Sequence, residues 1–196
     1  MSDQPGGHSG NGRRPPDKRR GGAGPRRRSK AGARSQGGPR ADGARPGPGP
    51  IGLTRIGGDD FELVHPRAVM ETELDYEEGV ELWKAGDPES ARDALRYALS
   101  ACHDNIWAHV ALGQIALVEF RDPALARGHF GYAFDLAHRA LPRGFVGRLP
   151  RHRPDNRPFY EAISGLAEAL AALGRHGDST SLKALASRLS GKAVGE

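Results

Sequence analysis

The chain has 196 residues, enough for one domain or for one domain with a tail. Its formal charge of +5 conceals two regions of opposite sign: residues 1–58 carry 13 Lys and Arg against 3 acidic residues, and residues 59–196 carry 16 against 21. A single cysteine, Cys102, excludes an internal disulfide framework. No apolar run is long enough to cross a bilayer, and the first residues lack the apolar core of a signal peptide, so a cytoplasmic location without membrane insertion is expected.

Residues 1–58 hold 16 of the 28 glycines and 8 of the 15 prolines, with no aromatic residue. Ordering each residue costs roughly 1–2 kcal/mol, and the few Ala with Met1, Ile51, Leu53 and Ile56 bury too little to offset that. A disordered basic tail is expected. Its charge is clustered at Arg13 and Arg14, Lys18, Arg19 and Arg20, and Arg26, Arg27 and Arg28. Such runs attract polyanions by counterion release. Three readings stand for them: a solubilising tail, a nucleic-acid or ribosome contact, and a contact with an anionic membrane or acidic protein surface. Residues 59–71 form a lead-in, in which Phe61 to Pro66 predicts a short extended stretch packed on the first hairpin, with Pro66 opening a helix.

Residues 72–141 contain a repeat. Asp87-Pro88, Ala91, Arg92, Leu95, Tyr97, Ala98 and Leu99 recur 35 residues later as Asp122-Pro123, Ala126, Arg127, Phe130, Tyr132, Ala133 and Phe134. Upstream, Gly79 and Gly113 lie 34 residues apart. Asp87 and Asp122 read as N-caps with proline at the first helical position, followed by apolar residues at helical spacing. The small Ala91 and Ala98 allow a neighbouring helix to approach closely.

These features resemble the tetratricopeptide repeat (TPR), a helical hairpin of about 34 residues. Gly79 and Gly113 match the small position of the first helix, Gly86 the turn glycine, and Ala91, Leu95 and Ala98 with Ala126, Phe130 and Ala133 the second helix. Asp75 and Glu78 depart from the family's Trp and Leu, and Phe120 replaces the second turn glycine. A spacer, 142–158, carries Arg143, Arg148, Arg151, Arg153 and Arg157 against Asp155 alone. Residues 159–190 follow as a third, degenerate hairpin with its turn at Gly174 and a second helix capped near Asp178 and Ser179, leaving 191–196 as the C-terminal end. The expected fold is therefore all-α, a short α-solenoid of about three TPR-like hairpins and near six helices behind a disordered tail.

The resemblance implies a groove lined by the first helices, with Glu73, Tyr76, Val80, Trp83 and Lys84 from one unit and Trp107, Val110, Gln114, Leu117 and Val118 from the next. It favours an apolar or amphipathic protein segment as partner, because the Lys and Asn pattern that grips a C-terminal carboxylate is replaced by Tyr76, Val80 and Gln114. The competing reading packs Trp83 and Trp107 between hairpins. For the spacer, one reading is a lid anchored over the groove by Phe145, Val146 and Leu149, with Arg148, Arg151 and Arg153 free for polyanions. The other pairs its arginines with the acidic run Glu71, Glu73, Asp75, Glu77, Glu78 and Glu81, which is either a solvated face or a dock for the tail.

Chemistry is sparse. Eight histidines are scattered without the His-x3-His spacing of a helical metal site, Cys102 and His103 point about 100° apart on a helix, and no strand–Gly-rich loop–helix phosphate cradle occurs. No enzyme activity, cofactor or metal is expected. The expected function is a protein–protein interaction adaptor; the alternative is a nucleic-acid-associated protein that binds through its tail while the TPR-like domain mediates assembly. Self-association through the end of the short array is a third reading.

Overall fold

The structure, a computed structural model, describes residues 51–191, and in them a two-stranded β-hairpin precedes seven α-helices. The tail arginines from Arg13 to Arg28 lie outside the described residues. Strands β1 (Gly52–Gly57) and β2 (Asp60–Val64) pair antiparallel, Leu53 opposite Leu63 and Arg55 opposite Phe61, with an irregularity before the turn. Gly58, at φ +50°, takes the left-handed turn conformation that glycine adopts without a Cβ penalty. The composition of residues 51–58 reads as a continuation of the tail. They are instead a strand and turn, because Ile51, just before β1, and Leu63, opposite Leu53, are both buried against the helices.

Helix α1 (Arg67–Glu71) is a single turn after Pro66. It ends at the buried Thr72, whose hydroxyl donates back to the Ala68 and Val69 carbonyls, and α2 (Glu73–Lys84) follows at once. Then come α3 (Pro88–Ala101), α4 (Ile106–Val118), α5 (Pro123–Arg139), α6 (Arg157–Ala172) and α7 (His176–Ser190). Asp87 caps α3 by accepting from the Ser90 amide at 3.0 Å, and Asp122 caps α5 by accepting from Ala124 and Leu125 at 3.0 and 2.9 Å. Asn105, not singled out in the sequence, caps α4 from a fully buried position and donates to Thr72 Oγ1 at 3.2 Å. Helix α7 begins at His176, one turn before the position expected from Asp178 and Ser179; Ser179 is buried and Asp178 pairs with Arg175.

From α2 onward each helix packs on the next, and α4 also touches both α2 and α6. Helix α4 is sandwiched: Ala108, Ala111, Leu112 and Ile115 face a core shared with α3, while Ile106, Val110 and Ala116 face a core shared with α5, α6, α7 and the hairpin. This explains why α4 is apolar nearly all round.

Two glycines of the repeat make the same contact. A Cβ on Gly79 would stand 2.6 Å from Leu95 Cγ, and one on Gly113 would stand 2.8 Å from the Phe130 ring. Gly165 of α6 meets that ring from its own side, so Phe130 is a buried wedge between α4 and α6 seated on two bare backbones. Turn glycines Gly86 (φ +83°) and Gly174 (φ +77°) close the α2–α3 and α6–α7 connections; between α4 and α5 the left-handed position falls on Arg121 (φ +51°), one residue beyond Phe120.

The spacer is a structural partner of the hairpin. Arg148 pairs beside Asp60 in parallel register, with Phe61 N donating to Arg148 O and Arg148 N to Asp59 O, each at 2.8 Å. Leu149 is fully buried, and its amide donates to Leu189 O at the end of α7. Asn156, also fully buried, ties the parts together: its Oδ1 accepts from Leu63 N at 2.9 Å, and its Nδ2 donates to Phe61 O and Pro150 O. Phe145 packs edge-on to Phe61 and Val146 points to solvent. The apolar residues of the spacer therefore anchor it to the hairpin and α7 rather than holding a lid over the groove. The lead-in likewise packs on the α5–α7 core rather than on the first hairpin.

Candidate functional site

Helices α2, α4 and α6 leave a cleft of about 510 Å³. Of the residues expected to line a groove, the structure brings together Trp83, Gln114, Leu117 and Val118. Val118 is 60% exposed, an apolar side chain with no cover. Trp83 is half-buried: one side packs on the α2–α4 core, and its Nε1 donates to Glu119 Oε1 at 2.9 Å, which fixes the ring at the rim. Phe130 reaches the floor because Gly165 has no side chain to cover it.

The opposite wall comes from α6 and was missed. Arg157, Tyr160, Glu161, Ser164 and Glu168 recur at three- and four-residue spacing along it, the signal of one helix face. They lie outside the two clear sequence repeats, the only segments in which the resemblance assigns groove positions. Arg157 pairs with Glu161 at 3.0 Å.

Tyr76 and Trp107 do not join this cleft. They line a separate one of about 360 Å³ together with Met70, Glu73 and Asp155. Trp107 is half-buried, with its ring 4.1 Å from that of His65. His65 Nε2 pairs with Asp155 O at 2.8 Å, and burial pushes the imidazole pKa down, so the neutral ring stacks. Burial, then the Glu161 carboxylate, raise the Tyr76 hydroxyl pKa, against an opposing pull from Arg157. Both tryptophans thus serve the core and a cleft at once. Three expected groove residues are placed differently. Val110 is 3% exposed inside the core, facing away from the cleft. Lys84 points to solvent beside Glu81 (2.7 Å), and the half-buried Val80 lines neither cleft.

Two of the three spacer arginines assigned to polyanions are occupied. Arg148 pairs with Asp60 at 2.7 Å; Arg153 makes a two-pronged bond to Glu62 at 2.8 and 2.9 Å, and this holds its guanidinium above the ordinary value. The acidic run on α1 and α2 takes none of the spacer arginines among the described residues; its pairs are Arg67–Glu71 and Lys84–Glu81. The hairpin carboxylates lie beside the arginines and win the pairing. Arg151 differs: it lies on Tyr160, its guanidinium carbon 4.5 Å from the ring centroid, and it lines the cleft.

Among the described residues no group of three His, Cys, Asp or Glu is placed to hold a metal, and no helix is long and apolar enough to cross a membrane. His109 and His129 bond through their Nδ1 atoms at 3.3 Å, with His109 Nε2 on His103 O, so one imidazole donates to the other. Burial lowers the pKa of both, that of His109 to about 4, which keeps this pair uncharged. No family model matches the chain, and no curated protein or solved structure matches it.

Proposed function

We propose that residues 72–190 form three TPR-like hairpins, α2–α3, α4–α5 and α6–α7, and that the chain is an interaction adaptor whose α2–α4–α6 cleft receives an apolar or amphipathic segment of another protein. What supports the hairpin reading is the recurrence of one contact, Gly79 on Leu95 and Gly113 on Phe130, at the repeat spacing, together with the matching caps Asp87 and Asp122. The observation that carries the functional reading is the open cleft itself. Trp83, Leu117, Val118 and Tyr160 converge there on three different helices, and Val118 stays exposed. Large side chains converging in a concave site are the usual energetic centre of an interface.

The test is native co-purification of the full-length chain, with and without nuclease, beside Val118→Asp. A stoichiometric protein that survives nuclease and is lost on Val118→Asp is expected. Material that leaves with nuclease and ignores Val118→Asp overturns the reading in favour of the alternative. That alternative is nucleic-acid association through the tail, and it rests on the 12 Lys and Arg of residues 1–50.

A further inference from the structure

The cleft continues past Tyr160. A second hollow of about 260 Å³, between α6 and α7, shares Arg151, Ser164 and Glu168 with it and adds Lys183, Ser187 and Ser190. Arg151, on the shared wall, stands apart from its neighbours. Arg148, Arg153 and Arg157 each have a carboxylate partner, whereas among the described residues neither Arg151 nor Lys183 has one within 4.0 Å. Glu168 borders both hollows and pairs with neither cation.

The Arg151 guanidinium is held in place. It rests on the face of Tyr160, and that ring is pinned because its hydroxyl donates to the carbonyl of the buried Leu149. A guanidinium stacked on an aromatic face keeps its edge N–H groups free, and their planar fork matches two oxygens of a carboxylate or phosphoryl group. Little side-chain freedom remains to be lost when such a ligand arrives.

We propose that the segment bound in the groove carries one carboxylate beside the apolar side chains that rest on Trp83, Leu117 and Val118. Arg151 binds it through paired N–H donors, and Lys183 adds a second positive charge. This rests on the groove reading above and specifies its partner. Glu168 sets a limit, since a second negative charge on the segment would face it and be repelled.

The experiment selects a random linear-peptide library against the full-length chain at physiological salt. Enriched peptides are then synthesised with the acidic residue, its amide isostere or phosphoserine at that position. Affinities are measured by fluorescence polarisation on the wild type, Arg151→Gln and Val118→Asp. Arg151 is exposed, so the glutamine variant keeps the fold. The enriched peptides should carry one acidic residue next to apolar ones. Arg151→Gln should weaken them about tenfold, the amide isostere should lose as much on the wild type, and the two changes together should lose little more. The phosphoserine form should bind the wild type more weakly than the carboxylate form, because its second charge faces Glu168; tighter binding of phosphoserine overturns the carboxylate. Peptides that weaken on Val118→Asp but ignore Arg151→Gln overturn the anionic group and leave the groove standing. Peptides that ignore both variants, including acidic ones held by the tail, or a selection that enriches nothing, overturn the groove reading as well.

Discussion

Replacing Gly165 by alanine tests the wedge on which α4, α5 and α6 are stacked. An added methyl would fall on the Phe130 ring, and the ring cannot retreat because the backbone at Gly113 already lies against it, with only 2.8 Å between the ring and a Cβ built there. Alanine in a helix interior gains roughly 0.5–1 kcal/mol over glycine, whereas overpacking a filled core costs about 1–3 kcal/mol. The net expectation is a destabilisation of up to about 2.5 kcal/mol, centred near 1, by the same two principles. Gly128→Ala, on the exposed face of α5 with no atom within 4 Å of the new methyl, is the matched control and should stabilise by about 0.5–1 kcal/mol. Urea denaturation at equilibrium reads both changes from the shift in midpoint at constant slope. In a Phe130→Ala background, itself weaker by about 3–5 kcal/mol, the methyl has room, and Gly165→Ala should change sign to give a coupling near 2 kcal/mol. If Gly165→Ala and Gly128→Ala shift the midpoint alike, or the cycle shows no coupling, the wedge is wrong.

Other outcomes follow from single contacts. Asn156→Ala leaves the buried Leu63 amide without its acceptor and removes the links to Phe61 O and Pro150 O; it should cost about 2–4 kcal/mol and speed hydrogen exchange at Leu63 selectively. Arg121→Gly should raise stability by about 0.5–1 kcal/mol, because a left-handed non-glycine residue costs more than glycine gains in the unfolded chain, while Gly86→Ala and Gly174→Ala should lower it in the same melts. The His109 pKa, lowered from 6.5 to about 4, means that the unfolded chain takes up the proton first. The stability that neutral His109 contributes above pH 6.5 should be lost as the pH drops towards 4, a loss of about 3 kcal/mol, and His109→Gln should remove that share from the pH dependence of denaturation while the share of His129 remains.

Local signals were legible where the sequence repeats itself. Asp87 and Asp122 could be read as caps, and Gly79 and Gly113 as close-approach positions, because each is a short-range pattern seen twice. Half of the groove followed, since Trp83, Gln114, Leu117 and Val118 lie on helices whose phase the repeat defines. The rest depends on contacts remote in sequence. Asn156 reads as an ordinary loop residue, yet it bonds Leu63 and Phe61, which lie 93 and 95 positions earlier. Arg148 and Arg153 look like free charges until Asp60 and Glu62 are brought beside them. Strand β1 is hidden by the glycines around it, and its burial comes from Leu63 and the helices rather than from its own neighbours. Val110 was assigned to the groove because the family pattern gives one face to each first helix, whereas α4 is buried on two.

On the adaptor reading proposed above, the α2–α4–α6 cleft receives a segment of another protein. Hydrogen–deuterium exchange of the full-length chain, with and without a saturating library-selected peptide, tests it directly. Binding in the cleft should slow exchange at residues 114–118 and 160–168, an effect that Val118→Asp abolishes. Protection confined to residues outside α2, α4 and α6, or unchanged by Val118→Asp, would contradict it.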